Sequence, residues 1–329
     1  MRLAILIFAF AFSMGAALAD PLPSWRDGEA KSNILSFVRE AVQPGNPAYI
    51  VPAERIAVFD NDGTLWAEQP FYFQLAYAID RVGEMAKNNP DMLAQNPVLE
   101  AAAEGDMQGV LASGHDGLLD VIAASHSGMT TGDFKQSVGE WLASARHPTS
   151  GQRYHQMVYQ PMIELLVYLR DNDFKTYIVS GGGIDFIRVF SEQVYGIPPE
   201  QVIGSSIRSE FQVTETTAET VKLPELFFYD DKAGKPVAIN HHIGRRPVFA
   251  GGNSDGDHQM LQYTDRGGDR PGFALLIHHT DAEREWAYDK GSTIGGLDNA
   301  LTEARERGWT VVDMKNDWRT VFSFQLGAQ

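Results

Sequence analysis

Two aspartates stand two residues apart in Val58-Phe59-Asp60-Asn61-Asp62-Gly63-Thr64-Leu65. Ile56 to Phe59 reads as a short buried strand, so the pair follows directly on a strand end. Gly63 permits a sharp turn there. A carboxylate so placed can attack phosphorus and form an aspartyl-phosphate. A second carboxylate beside it can protonate the leaving oxygen and later activate water. Crowded carboxylates repel one another unless a cation lies among them, and an all-oxygen ligand set favours a hard ion such as Mg²⁺. The same residues also read as a solvated turn, since Asp, Asn and Gly are common there. An EF-hand calcium loop fails on spacing, because it needs its glycine two positions later than Gly63.

Two more strand signals end in polar, glycine-rich loops. Lys175 to Val179 runs into Ser180-Gly181-Gly182-Gly183, and Pro247 to Ala250 runs into Gly251-Gly252-Asn253-Ser254-Asp255-Gly256-Asp257. In an open parallel sheet the ligand crevice lies at the carboxyl ends of the strands. Asp60, Asp62, Ser180, Asn253, Asp255 and Asp257 are therefore expected to converge.

The elements that must position them alternate. Ser32 to Val42 has helical spacing, as have Met162 to Leu169, Asp185 to Tyr195 and Leu297 to Arg307. Strand signals recur at Val202-Ile203, Phe273 to Ile277 and Thr310 to Asp313. This alternation predicts an α/β fold with a doubly wound parallel sheet covered on both faces. Thr280 and Glu283 have capping-box spacing and predict a helix after the Phe273 strand. Residues 208–239 read as hairpins, with Asp231, Gly234 and Pro236 near a turn. Phe71 to about Leu142 is rich in Ala, Met and Leu and reads as helical, broken at Pro90, Pro97, Gly105, Gly114 and around Gly128. Residues 143–155 read as a linker.

A length of 329 residues suits a core domain with an insertion. The net charge of −16 argues against nucleic-acid binding through a broad basic face, and requires a local cation to hold an anionic substrate. Met1-Arg2, the apolar run Leu3 to Phe12 and Ala17-Leu18-Ala19 form a secretory signal pattern over residues 1–19. Asp20 is the expected mature N-terminus, and the expected location is the periplasm or outside the cell, with no membrane anchor after cleavage. There are no cysteines, hence neither disulfides nor thiolate metal sites.

The chain resembles the haloacid dehalogenase superfamily. Val58 to Leu65 is similar to its first motif, a strand followed by DxDGT. Ile178-Val179-Ser180-Gly181-Gly182 is similar to the second, Lys235-Pro236 is placed like the third-motif lysine, and Gly252 to Asp257 resembles the fourth. The resemblance implies a Rossmann-like core (20–68 and 155–329) with an inserted, mainly helical cap at 69–154. It implies Asp60 as nucleophile and Asp62 as general acid/base. It makes Ser180, Gly181, Gly182 and Lys235 the phosphate-binding residues. Asp60, Asp62, Asn253 and Asp257 would hold Mg²⁺, directly or through water. Lys222 and Lys232 are alternatives to Lys235. The fourth motif carries Asn253 where the family commonly has Asp, and Asp255 is either a compensating ligand or a loop carboxylate.

The implied function is a phosphatase acting on small phosphomonoesters, because Asp62 provides the proton an alcohol leaving group needs. A phosphotransferase on the same scaffold and a non-catalytic periplasmic binding protein are the alternatives. The glycine-rich second motif looks most like the phosphoserine phosphatase branch, but Gln69, with Glu68 beside it, stands where that branch has an amine-gripping glutamate. Trp66, Phe71, Tyr72, Phe73, Tyr77, Trp141 and Tyr154 are read either as packing or as a cage for a quaternary ammonium such as phosphocholine. His241-His242 and His278-His279 are adjacent pairs, whose side chains point apart in regular structure. His278 and His279 fall near the expected crevice. The oligomeric state is left open.

Overall fold

The structure is a computed structural model and describes residues 19–328 apart from 95, 268, 269 and 271. The leader expected at 1–19 lies outside the described residues except for Ala19. Among the described residues no helix is long and apolar enough to cross a membrane.

The strands are β1 (Ile56–Phe59), β2 (Lys175–Gly183), β3 (Val202–Val213), β4 (Ala218–Phe228), β5 (Phe249–Gly252), β6 (Phe273–Thr280), β7 (Ala287–Tyr288) and β8 (Thr310–Asp313). They form one sheet in the order β4-β3-β2-β1-β5-β6-β7, with β8 also paired to β6. β3, β2, β1, β5, β6 and β8 run parallel, while β4 and β7 are antiparallel additions. The strand order reverses between β1 and β5, and a crevice opens at such a switch point. Both strands are short, wholly apolar or glycine, and buried at every position. That is the pattern of a strand covered on both faces.

Alternate side chains of β1 enter different cores. Ala57 and Phe59 pack with α1 (Glu29–Val42) and α7 (Gln160–Asp171). Ile56 and Val58 pack with α10 (Gly234–His242), α11 (His258–Asp265) and α12 (Asn299–Arg307). Between β1 and β2 the chain inserts α2 (Phe73–Asn88), α3 (Pro97–Ala103), α4 (Met107–Ala112), α5 (Gly114–His126) and α6 (Thr131–Ser144). Leu75, Ile79, Val82, Leu99, Val110 and Val121 give α2 to α5 a small core of their own. The other face of α2, with Phe73 and Tyr77, and α6, with Phe134 and Val138, join the main core instead.

Several local expectations are corrected. Residues 208–239 do not hold hairpins throughout. One hairpin, β3–β4, spans 202–228, and α10 begins at Gly234. Its β4 strand bonds to the segment after α5, through Gly128 N to Lys222 O and Lys222 N to Met129 O, so it is tied to the inserted helices. No helix follows Thr280. Asp281 instead accepts the N–H groups of Glu283 and Arg284 in a turn leading to β7. The helix expected over 185–195 is two short ones, α8 (Ile184–Ile187) and α9 (Ser191–Tyr195). The last helix, α13 (Met314–Asp317), follows β8.

Candidate active site

The loop after β1 is built around Asn61. Its carbonyl accepts the N–H groups of Thr64, Leu65 and Trp66, and Gly63 N donates to Trp66 O. Gly63 has φ +72, a conformation only glycine takes without strain. The loop presents Asp60 and Asp62 to a cavity of about 440 Å³ that Gly181, Gly182, Lys235 and Asp257 also line. Ser180, buried, accepts the Gly182 N–H on Oγ at 3.0 Å. A Cβ added at Gly182 would stand 3.3 Å from both Asp62 Oδ2 and Ser180 Oγ, so the second-motif backbone lies against the acid.

Lys235, expected as the third-motif lysine, reaches the cavity beside Asp60. Its ammonium donates to Asp60 Oδ1 at 2.7 Å, Asp257 Oδ1 at 2.6 Å and Val179 O at 3.0 Å, in a fully buried position. It sits in the first turn of α10, not in a hairpin. Lys222 pairs with Asp185 across the cavity, and Lys232 lines the cavity mouth. Burial alone would lower the Lys235 pKa; Asp257 and Asp60 outweigh it and raise it. Burial, then Asp257, push Asp60 up, and Lys235 only partly offsets them. Burial also raises Asp62, against the Trp66 Nε1–H that its Oδ1 accepts at 2.8 Å. One ammonium thus faces more carboxylate charge than it can balance.

The fourth-motif loop is held from within. Asp257 Oδ2 accepts from Asn253 N, Ser254 N and Ser254 Oγ, so both its oxygens are engaged once Lys235 is counted. Asn253 Oδ1 accepts from Thr64 Oγ1 at 3.1 Å, which joins the first and fourth motifs. Asp255 also lines the cavity, but its carboxylate is engaged by α12. It accepts the N–H groups of Asp298, Asn299 and Ala300 and caps the start of α12. These bonds outweigh its burial and lower its pKa. Asp255→Ala is expected to cost about 1–2 kcal/mol in urea unfolding while leaving divalent-metal affinity unchanged.

Sequence reasoning placed Glu68 and His279 near the site without their contacts, and missed Gln74 and His126. Glu68, buried, accepts from Asn253 Nδ2 at 2.7 Å and Tyr288 OH at 2.8 Å. Burial raises its pKa to about 7, against His279, Tyr288 and Asn253, which lower it. His279 Nε2 donates to Gly63 O at 2.8 Å and its Nδ1 faces Glu285, so this histidine holds the first-motif loop. His278 points elsewhere, 3.5 Å from Asp289. Gln74, from α2, accepts the Gly183 N–H at 2.6 Å and brings the inserted helices onto the second motif. Its amide nitrogen is 3.4 Å from His126. Burial, then Lys222, hold His126 down to about 3, so it stays neutral.

Asp230 is buried with neither carboxylate oxygen hydrogen-bonded. Burial raises its pKa from 3.8 to about 7, with Lys235 opposing. The native state therefore keeps a proton that the unfolded chain has released, and stability falls as pH rises through this interval. Asp230→Asn should remove that fall. In EDTA, its stability relative to the parent should be similar at pH 4 and greater by about 1–3 kcal/mol at pH 8.

Of the two readings of the rings near the first motif, the packing one fits: among the described residues they form no cage on the cavity wall. Of the seven rings only Tyr72 lines it. Trp66 stacks on Phe190 at 4.6 Å within the main core, and Trp141 of α6 stacks on Tyr154 at 4.7 Å. The apolar part of the wall is formed by Leu75, Leu118, Ile122, Ile207 and Leu226 with Phe186 and Tyr229.

The fold has counterparts among solved structures. A protein of unknown function from Anaerococcus prevotii is 16% identical, with 85% of this chain and 90% of that one covered at a TM-score of 0.54, which shows a shared fold. A protein of unknown function from Bordetella pertussis is 13% identical over 79% of this chain and 99% of that one, at a TM-score of 0.48. A phosphoserine phosphohydrolase-like protein from Francisella tularensis is 15% identical over 83% and 98%, at 0.39. No curated protein matches the chain. The family model for haloacid dehalogenase-like hydrolases matches residues 57–262, more than half of the sequence, from β1 through the fourth-motif loop into α11. With the aspartate loop, the buried lysine and the fourth-motif loop on one cavity at the sheet's switch point, the chain belongs to the haloacid dehalogenase-like hydrolase family.

Proposed function

We propose that the mature chain is an exported, Mg²⁺-dependent phosphatase that hydrolyses small phosphomonoesters through an aspartyl-phosphate on Asp60. The observation that carries this reading is the buried Lys235 bridging Asp60 and Asp257 on one cavity with Asp62, Gly181 and Gly182. Asp60 attacks phosphorus and Asp62 gives its proton to the departing alcohol oxygen. The alcohol leaves, and a water deprotonated by Asp62 attacks the phosphorus of the acyl phosphate. Phosphate departs and Asp60 is restored. The raised pKa of Asp62 supports its acid role. Ser180 Oγ and the Gly181-Gly182 backbone would bind phosphoryl oxygens, and Lys235 fixes the plane of Asp60.

The residues present fit a hard divalent cation in kind. Asp60, Asp62 and Asn253 offer only oxygen donors, and the surplus of buried carboxylates calls for positive charge. Among the described residues no three His, Asp or Glu side chains form a ready-made metal group. Asp60, the Asp62 main-chain oxygen and Asn253 would be the ligands, with Asp257 acting through the loop it holds. Bound there, the ion supplies positive charge to the phosphoryl oxygens. The apolar part of the cavity wall supports a leaving alcohol with an apolar body.

The test is phosphate release by the protein beginning at Asp20 from an aryl phosphate, then from a panel including phosphocholine and phosphoserine, in Mg²⁺ and in EDTA. Release in Mg²⁺ alone is expected. Ligand binding without turnover across the panel would favour the binding-protein reading instead.

A further inference from the structure

Asn253 leaves the fourth motif one negative charge short of the family pattern, and the structure puts a carboxylate against it. Glu68 is 2% exposed and lines the same cavity as Asp60 and Asp62. Its Oε1 accepts from Asn253 Nδ2 at 2.7 Å and from Tyr288 OH at 2.8 Å. Room for this one oxygen is built from two backbone turns. A Cβ at Gly63 would stand 2.4 Å from it and a Cβ at Gly295 2.0 Å, and both glycines have positive φ, +72 and +65. A side chain at either position would push the carboxylate away.

The contact has two consequences for Asn253. With Nδ2 held by Glu68, the amide cannot flip, and Oδ1 is turned toward Thr64 and the first-motif loop. A carboxylate accepting from an amide N–H also draws electron density onto the amide oxygen, and such partners behind a ligand sustain metal affinity. Glu68 is buried, so the charge it carries once a cation favours its ionised form acts at short range and is little screened. We propose that Glu68 and Asn253 together replace the missing aspartate: Asn253 provides the ligand oxygen for the divalent cation, and Glu68 provides the negative charge and the orientation. The inference rests on reading the site as that of a metal-dependent phosphatase. Glu68 is a positioning residue, acting through Asn253.

The test measures Mn²⁺ binding by electron paramagnetic resonance, without substrate, on the protein from Asp20. Glu68→Gln is expected to weaken binding by about 10- to 100-fold. Adding Asn253→Asp to it moves the charge onto the ligand itself, and the double variant is expected to return to within about threefold of the parent. Circular dichroism confirms that each variant folds. If Glu68→Gln does not fold, Glu68→Asp, which keeps the charge but shortens its reach, should still bind more weakly than the parent.

Unchanged Mn²⁺ affinity in folded Glu68→Gln would overturn this inference alone. So would a folded double variant as weak as the single one. A change confined to KM for amine-bearing phosphoesters would make Glu68 a substrate contact instead. A parent protein that releases phosphate but binds no Mn²⁺ would overturn both this inference and the metal reading beneath it.

Discussion

Asp60→Asn is expected to lower kcat for phosphate release by at least about 10⁴-fold while leaving the fold intact. Asn has the shape of Asp but lacks the charge that attacks phosphorus. The position is 7% exposed and follows a fully buried strand, so the amide will stay where the carboxylate was. Burial and Asp257 already disfavour the charged form of Asp60, so removing that charge relieves repulsion in the metal-free protein. Its thermal midpoint at neutral pH should therefore not fall. Inorganic phosphate should still bind, because Ser180, Gly181, Gly182 and Lys235 are unaltered. Lost turnover with retained stability and retained phosphate binding separates a missing nucleophile from a damaged site.

Lys235→Met should damage both stability and turnover. The ammonium holds Asp60, Asp257 and the Val179 carbonyl within 3.0 Å. Removing it leaves two buried carboxylates facing each other without a cation. Breaking such a pair costs about 3–5 kcal/mol, chiefly through the charge left behind. Turnover should drop by about 10³-fold or more, since a positive charge beside the transferring phosphoryl group is lost. Adding Asp257→Asn removes one of the stranded charges. Urea unfolding should then recover at least half of the lost stability, and kcat should not recover. A double variant no more stable than Lys235→Met would mean that packing, not charge, sets the cost.

The frame of the site was legible because it depends on local patterns. β1 and β5 are short apolar runs ending in polar loops, and a parallel sheet brings such loops to one edge. Ser180 was placed where the sequence ends the strand, although β2 runs on to Gly183. Lys235 was found by its order in the chain, but its setting was misread. Gly234 and Pro236 look like turn punctuation, yet both lie in the first turn of α10, where a missing N–H costs nothing. Thr280 and Glu283 have capping-box spacing, but Arg284 binds Asp281 and the carbonyls of Trp318 and Arg319, and the chain turns into β7.

What was not legible depends on long-range partners. Glu68 bonds to residues 185 and 220 positions away, and nothing in its neighbourhood marks them. Asp255 caps a helix that begins more than forty residues later. Both readings of Asp255 fitted the sequence, and only the position of α12 chooses the structural one. The aromatic residues were ambiguous for a related reason. Composition shows rings near the first motif, but whether they face ligand or core depends on the angle at which α2 and α6 pack.

The central claim is that the phosphoryl group passes through a covalent acyl phosphate on Asp60. The most direct measurement is the stereochemical course at phosphorus. An aryl phosphorothioate made chiral with ¹⁸O is hydrolysed in ¹⁷O-water, and the configuration of the released thiophosphate is determined. Two in-line displacements, first by Asp60 and then by water, predict retention. Inversion would mean that water attacks the substrate directly and that Asp60 is not the nucleophile.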